Sequence, residues 1–219
     1  MAALVAITGG SGSGKSTVAA ALQAALPPGA AVLVSEDWYY RDCSAFPDFD
    51  PASFDFDDIA IRDHDLLIEH LAALKAGRPV TAPDYCFVRH ARRETGRPVA
   101  PASMVIVEGS HLLCVPNLAS LFDLKVYLDT PDDVRFIRRL LRDQAERGRS
   151  QESVVAQYLR TVRPAHLRLT EKSRAVADLV LQDLSCAIER PSAADLQAFI
   201  APLLAHPALA RAPAAPAQG

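Results

Sequence analysis

The sequence of 219 residues has few of the features that mark specialised classes of protein. It contains only four cysteines and no C-x-x-C pair, which argues against a disulfide framework or a zinc site and indicates reduced thiols in a cytoplasmic protein. No apolar run approaches the roughly 20 residues of a membrane span, and the N-terminal apolar stretch meets glycines too early for a signal peptide. A net charge of −3 gives no electrostatic reason to expect nucleic acid or a membrane as partner.

What remains is the composition of an ordinary globular domain. Hydrophobic residues make up 50% of the chain and charged residues 22%, and the length suits one sizeable α/β domain. We assign residues 1–206 to this domain. Residues 207–219 read PALARAPAAPAQG and predict a disordered Pro/Ala tail, because they offer little to bury.

The most informative stretch is residues 9–17, GGSGSGKST, which matches the phosphate-binding pattern G-x-x-x-x-G-K-[ST]. Its glycines let successive backbone N–H groups turn toward phosphates, Lys15 can reach the β- and γ-phosphates, and the Ser16 hydroxyl can bind Mg²⁺. A flexible Gly/Ser turn is the other explanation, but an apolar run precedes the loop and a helix-forming run follows it. We therefore predict ATP and Mg²⁺ as cofactors, with the triphosphate bound by Gly9, Gly10, Ser11, Gly12, Ser13, Gly14, Lys15, Ser16 and Thr17.

Short apolar runs alternate with helical patterns along the rest of the chain. The predicted strands are 4–7, 31–34, 104–107, 124–128 and 179–181, and the predicted helices are 17–26, 65–76, 132–146 and 151–162. Such alternation indicates a parallel sheet covered on both faces. Residues 80–101, bounded by prolines and rich in arginine, predict an inserted β-hairpin over the ligand cleft. The expected fold class is α/β, a P-loop NTPase-type parallel sheet flanked by helices, with this hairpin and an Arg-rich helical lid.

Two carboxylates follow predicted strands, where ligands of parallel sheets bind. Asp37 could orient and deprotonate an attacking hydroxyl, although Asp is also a favoured turn residue that could simply cap a turn. Glu108 could hold a metal-bound water near Ser16, so Ser16, Glu108 and Asp37 form the predicted metal group. The sequence has neither the D-x-x-G nor the Asn/Thr-Lys-x-Asp motif of GTPase-type switches.

A basic helix and loop follow the fourth predicted strand. Arg135, Arg138, Arg139 and Arg142 fall on one helix face, and Arg-Gly-Arg comes directly afterwards. A solvated basic face is the ordinary explanation for such a run. In a chain with a phosphate loop, the arrangement favours a lid over the triphosphate, which we place at residues 135–160.

Together these sites identify a resemblance to the uridine kinase (uridine–cytidine kinase) family of phosphoribulokinase-related P-loop kinases. It extends from about residue 3 to residue 183, and seven motifs occur in the family's order. The motifs are GGSGSGKST, Asp37-x-Tyr39-Tyr40-Arg41, Phe56-Asp57-Asp58 before Asp65-Leu66-Leu67, Tyr85-x-Phe87-Val88-x-His90-x-Arg92, Glu108-Gly109, RRLLRDQAERGR at 138–149, and Gln157-Tyr158.

The resemblance implies an ATP- and Mg²⁺-dependent kinase that phosphorylates the 5′-hydroxyl of uridine, and of cytidine. It implies that Asp37 is the catalytic base, acting with Lys15 and the phosphate-contacting Arg142, and that Asp57 binds the ribose 2′- and 3′-hydroxyls. The other substrate-binding residues that it implies are Tyr85, Phe87, His90, Arg139, Arg147, Arg149 and Gln157. A homo-oligomer, tetramer or dimer, is a further implication.

The chain departs from the family pattern at three places. The family's Y-D-F is Tyr85-Cys86-Phe87, its N-F-D-H-P is residues 55–59 (DFDDI), and Glu108-Gly109 continues as Ser110-His111. A related kinase for another ribosyl or alcohol acceptor is therefore the alternative, because the phosphate-transfer motifs are intact while the acceptor side varies. From another class, the alternative is a nucleotide-binding regulator that hydrolyses slowly, and nucleoside-dependent ADP release separates the two.

Overall fold

The computed structural model describes residues 1–43, 46–47, 49–51, 53–182 and 191–210. Its strands are β1 (Ala3–Gly9), β2 (Ala31–Ser35), β3 (Val80–Ala82), β4 (Tyr85–Cys86), β5 (Ala91–Arg92), β6 (Arg97–Val99), β7 (Met104–Gly109), β8 (Leu124–Asp129) and β9 (Leu179–Gln182). Five of them form a parallel sheet in the order β2-β7-β1-β8-β9. The phosphate loop thus follows the central strand, at the edge where the strands end.

Helices connect the strands of this sheet. They are α1 (Lys15–Ala24), α2 (His64–Lys75), α3 (Pro116–Ala119), α4 (Asp132–Arg147), α5 (Gln151–Gln157), α6 (Arg163–Arg168), α7 (Ala193–Leu204) and α8 (Pro207–Ala210). Short 3₁₀ segments span Glu36–Tyr39, Ile59–Ile61 and Thr170–Val176, and a π-helical turn spans Tyr158–Val162. The predicted α/β fold class is confirmed.

Both faces of the sheet are buried, as the continuous apolar strands predict. Leu4 and Ala6 of β1 pack with α2 on one face, whereas Val5 and Ile7 pack with α1 and α7 on the other. The helices follow their local signals. Asp63 caps α2 by accepting the Leu66 N–H, and α4 ends at Gly148 in the left-handed conformation.

The predicted hairpin is present within residues 80–101, as two successive antiparallel ladders. β3 pairs with β6, and farther out β4 pairs with β5. The turn at the tip contains His90, whose φ of 52° is uncommon for a residue with a side chain. The tip therefore presents His90 in a conformation that the surrounding contacts maintain.

The C-terminal residues differ in part from the predicted tail. Residues 207–210 form α8, and Leu209 is buried in the cluster that contains α1 and α7. Leu209, together with the half-buried Ala208, packs the segment onto the domain. Residues 211–219 and Cys186 lie outside the described residues. Among the helices that the structure describes, none is both long enough and apolar enough to cross a membrane.

Candidate active site

The phosphate loop is shaped by glycine and by its contact with α4. Gly14 begins α1 at a φ of 88°, a conformation that favours glycine. A Cβ on Gly12 would lie only 2.2 Å from the backbone oxygen of Arg135, so no side chain fits there. The Arg135 guanidinium is itself held by the carbonyl oxygen of Thr130 at 3.1 Å and by Asp132. Buried Arg135 therefore supports the loop from beneath instead of contributing to an exposed basic face.

Four of the predicted residues meet beside this loop. Lys15 Nζ donates to the carbonyl oxygen of Gly10 at 3.0 Å, and burial lowers the pKa of Lys15 despite the opposing charges of Glu108 and Asp37. Ser16 Oγ donates to Glu108 Oε2 at 3.1 Å. Burial, followed by the nearby charge of Asp37, raises the pKa of Glu108. Two carboxylates and a hydroxyl that adjoin in this way suit an oxygen-coordinated cation, which would relieve the repulsion between the acids.

Asp37 lies where the sequence predicts it, on the 3₁₀ turn directly after β2. The turn is capped by Ser35, whose Oγ accepts the Asp37 N–H at 3.3 Å, so the Asp37 carboxylate is not used as the cap. That carboxylate is 45% exposed and lies 3.8 Å from Arg62 Nη2. It is therefore available to a ligand in the cleft.

Beneath Asp37 lies a buried polar cluster that the sequence analysis missed. Glu36 is fully buried and accepts hydrogen bonds from His64 Nε2 at 2.8 Å and from the His111 N–H at 3.1 Å. Burial alone would raise the pKa of Glu36, but His64 and Arg62 hold it well below its usual value. Burial and the Arg62 charge lower the pKa of His111 to about 3. Residue 111 contacts Glu36 through its backbone N–H, so this contact does not depend on the departure from the family pattern at Ser110-His111.

An aromatic cleft adjoins Asp37 on the side away from the phosphate loop. The Tyr40 ring stacks on Tyr85 at a centroid distance of 5.0 Å, and Phe87 meets Tyr40 edge-on at 6.0 Å. The Tyr85 hydroxyl lies 3.4 Å from Cys43 Sγ, so Tyr85 is packed behind the cleft. Phe87 is 38% exposed and remains accessible.

His90 closes the outer end of this cleft. Its ring stacks on Phe56 at 4.7 Å and meets Phe49 edge-on at 5.6 Å. Burial, together with the charge of Arg149, lowers the pKa of His90. A neutral imidazole in this place can donate or accept a hydrogen bond.

Asp57 is held in place by a residue that the sequence analysis did not identify. Thr161 Oγ1 donates to Asp57 Oδ2 at 2.7 Å. Burial raises the pKa of Asp57, although Arg139 and Thr161 oppose the increase. Thr161 belongs to the π-helical turn, which precedes Pro164, and a proline cannot donate the N–H that a regular helix needs there.

The lid arginines are gathered around one buried carboxylate, that of Asp143. It lies 2.8 Å from Arg142, 3.5 Å from Arg139, 3.5 Å from Arg147 and 4.0 Å from Arg149. Burial alone would raise the pKa of Asp143, but Arg142, Arg139 and Arg147 lower it. One carboxylate thus holds four of the arginines predicted for the lid close together.

These arginines also connect the lid to the loop and to the hairpin. Arg139 donates to Ser11 Oγ at 2.8 Å and to Gln157 Oε1 at 2.9 Å. Arg149 donates to the same amide oxygen of Gln157. The Arg147 guanidinium lies over the Phe87 ring at 4.7 Å. Lid arginines therefore contact both the phosphate loop, through Ser11, and the hairpin, through Phe87.

Comparison with known proteins identifies the family to which this chain belongs. The model of the Phosphoribulokinase / Uridine kinase family matches residues 4–188. The chain belongs to this family. Membership implies a kinase that uses ATP, typically with Mg²⁺.

Relatives in the phosphoribulokinase/uridine kinase family match most of the chain. The uridine kinase of Borreliella burgdorferi strain ZS7 is 41% identical over 184 residues, which cover 84% of this chain and 87% of that protein. The uridine kinase of Clostridium botulinum strain 657 / type Ba4 is 41% identical over 180 residues, covering 82% and 87%. The structure of a possible uridine kinase from Bacillus stearothermophilus shares the fold, with a TM-score of 0.60 at 20% identity over 82% of this chain and 88% of that one.

Proposed function

We propose that this protein is an ATP- and Mg²⁺-dependent uridine kinase that transfers the γ-phosphate to the 5′-hydroxyl of uridine and of cytidine. The observation that carries the proposal is the position of Asp37. Its charge acts on Lys15 and Glu108 on the phosphate side, and it faces Arg62 and Tyr40 on the aromatic side. Relatives named uridine kinase, 41% identical over most of the chain, support the choice of acceptor.

On the donor side, the backbone N–H groups of the loop and Lys15 would bind the triphosphate, and Arg142 would contact it from the lid. Ser16, Glu108 and Asp37 would hold Mg²⁺, which when bound neutralises phosphate charge. Arg142 is suited to contact the triphosphate because its side chain is one-third exposed, while its ion pair with Asp143 restrains it. The lid then supplies positive charge without a large rearrangement of its own.

On the acceptor side, Asp57 would accept hydrogen bonds from the ribose 2′- and 3′-hydroxyls. Thr161 occupies Oδ2, so Oδ1 is the oxygen with most room for a ligand. Phe87 would stack on the base, and the Tyr85 ring packs against the Phe87 ring from behind. His90, Arg149 and Gln157 would contact the polar edges of the base, while Arg139 and Arg147 would hold the nucleoside and its phosphate.

The transfer itself would be a direct in-line displacement. Asp37 orients the 5′-hydroxyl and takes its proton as the oxygen bonds to the γ-phosphorus. The bond from that phosphorus to the β–γ bridging oxygen breaks, and ADP leaves. Because the transition state of phosphoryl transfer is loose, positioning by Asp37 matters more than its strength as a base.

A screen of acceptor-dependent ADP release tests the proposed function. The purified protein is incubated with MgATP and, separately, uridine, cytidine, adenosine, nicotinamide riboside and pantothenate. We expect ADP release with uridine and cytidine only. Release with one of the other acceptors would favour a related kinase, and no stimulation by any acceptor would favour a nucleotide-binding regulator.

Asp57→Asn should weaken acceptor binding more than it slows turnover. The amide presents one acceptor oxygen instead of two and so loses part of the ribose contact. We expect a higher KM for uridine, a smaller change in kcat, and less discrimination against 2′-deoxyuridine in steady-state kinetics. Thr161→Val is the matched variant, since it removes the hydrogen bond that orients Asp57 while keeping its charge. Unchanged discrimination in Asp57→Asn would contradict the ribose assignment.

Substitution of His90 by a group of fixed polarity, such as Lys, which can only donate, should change the ratio of kcat/KM for uridine to that for cytidine. The expected change corresponds to about 1–3 kcal/mol if a buried polar atom loses its partner. Phe87→Ala should lower kcat/KM for both nucleosides together, because stacking does not distinguish them. Both substrates are measured with both variants. An unchanged ratio in the His90 variant would contradict the assignment and favour a different acceptor.

A further inference from the structure

Arg62 is a buried arginine that the proposed mechanism does not yet use. Its backbone is fixed against the segment that follows Asp37, because Arg41 N–H donates to the Ile61 carbonyl at 2.8 Å and Asp63 N–H donates to the Tyr39 carbonyl at 2.8 Å. Residues 40 and 62 thereby form an isolated antiparallel bridge. The backbone of Arg62 is thereby paired with the end of the turn that carries Asp37.

The Arg62 side chain is surrounded by acidic and aromatic groups. It is 5% exposed, its Nη2 donates to the Tyr40 hydroxyl at 2.6 Å, and its Cζ lies over the Tyr40 ring at 4.4 Å. Its nearest carboxylate oxygens are Asp37 Oδ1 at 3.8 Å and Glu36 Oε2 at 3.9 Å. Among the described residues, Nε and Nη1 have no hydrogen-bond partner.

Neutralising Glu36 does not by itself explain this arrangement. Glu36 already accepts hydrogen bonds from His64 and from the His111 backbone, so its charge does not depend on Arg62 alone. A buried arginine with unsatisfied donors is costly, and apolar side chains often replace such groups without loss of stability. The presence of such a costly side chain at this position favours a functional contribution from Arg62.

The contacts of Arg62 reach Asp37 and the backbone segment that carries Asp57. Nη2 faces Asp37 directly. The Tyr40 hydroxyl, which accepts from Nη2, donates to the carbonyl oxygen of Phe56 at 3.0 Å, next to Asp57. One guanidinium therefore adjoins the proposed base and the segment that carries the proposed ribose ligand.

We propose that Arg62 is a positioning residue that holds the Asp37 carboxylate, through Nη2, in the orientation from which it meets the acceptor hydroxyl. The inference rests on the proposed function, because it assigns Arg62 a part in the reaction of Asp37. The 3.8 Å separation leaves Asp37 free to accept from the hydroxyl while the attraction of the cation limits rotation of the carboxylate. Arg62 itself touches neither ATP nor the transferred phosphoryl group.

A double-mutant cycle with Asp37 tests this role. Arg62→Met, Asp37→Asn and the double variant are compared with the wild type for kcat and for the KM of uridine and ATP. We expect Arg62→Met to lower kcat by roughly 10- to 10²-fold, the scale of a misplaced catalytic group, with both KM values nearly unchanged. In the Asp37→Asn background, the same substitution should cost less than about threefold, because residues that act together are non-additive. Arg62→Lys should recover part of kcat, since it restores the charge but not the planar fork.

Controls separate positioning from folding. Arg174→Met removes an exposed arginine that pairs with Asp129 at 3.1 Å, and it should leave kcat unchanged. Thermal melting identifies the variants that fold. If Arg62→Met does not fold, the cycle is run with Arg62→Lys instead. Equal fold losses in the two backgrounds, or an unchanged kcat in a folded Arg62→Met protein, would overturn the inference.

Failure of the proposed function gives a different pattern. Wild-type protein that releases no ADP with uridine or cytidine refutes that function. The same cycle is then measured with whichever acceptor the screen identifies, or on slow ATP hydrolysis by water. Coupling between Arg62 and Asp37 in that reaction supports the positioning role, and additivity overturns it.

Discussion

Lys15→Ala is expected to abolish phosphoryl transfer to every acceptor while the protein remains folded. Lys15 is the one described cation whose charge adjoins both Glu108 and Asp37 inside the phosphate loop, where it would meet the β- and γ-phosphates. Its hydrogen bond is local, to the carbonyl oxygen of Gly10, and burial of the ammonium lowers its pKa. Removing it therefore takes away a desolvated charge and no core packing.

ADP release with uridine measures the loss of transfer, and circular dichroism melting measures the fold. Lys75→Ala is the matched control, because Lys75 ends α2, where it pairs with Asp123 at 3.1 Å and has no part in the proposed site. That variant should keep wild-type turnover. Near-normal turnover by Lys15→Ala would contradict the assignment of the phosphate loop.

Asp37→Asn is expected to lower kcat by about 10²-fold or more with little change in the KM for uridine. The amide has nearly the shape of the carboxylate, but it cannot take the proton and lacks the charge that Arg62 faces at 3.8 Å. The Ser35 cap on the Asp37 backbone N–H is unaffected, so the turn should keep its conformation. Steady-state kinetics of Asp37→Asn and Asp57→Asn are compared directly. If both variants mainly change kcat, or both mainly change KM, the division between base and ribose ligand is wrong.

Much of this site could be predicted because its signals are local. The phosphate loop lies between a strand and a helix, and Asp37 and Glu108 directly follow apolar strands, so short windows were enough to place them. The hairpin was recognisable from its prolines and its arginine content. In each of these segments, the residues that determine the structure are neighbours in the sequence.

The buried cluster beneath Asp37 could not be predicted in the same way. Glu36, His64 and His111 are separated by 28 and 75 positions from their partners, and each alone reads as an exposed polar residue. Arg62 likewise has no motif, since only the bridge between residues 40 and 62 brings it to Asp37. Long-range packing determines these contacts, and no periodic pattern in the sequence indicates them.

The arginine-rich helix α4 has features that the spacing of its residues could not predict. Spacing placed Arg135 and Arg139 on one face with Arg138 and Arg142, but it did not show that the first two are buried, nor that Asp143 gathers the lid. Asp143 was within the quoted motif, so its presence was visible while its position between the arginines was not. The π-helical turn that brings Thr161 to Asp57 had no signal except Pro164.

The most direct test of the account is identification of the phosphorylated product. Wild-type protein is incubated with Mg²⁺, ATP labelled at the γ-phosphate, and uridine, and the nucleotides are separated by chromatography. The account predicts label in 5′-UMP, none with 5′-deoxyuridine, and none in either reaction with Lys15→Ala. Label that appears only as inorganic phosphate, at a rate indifferent to uridine, would contradict it.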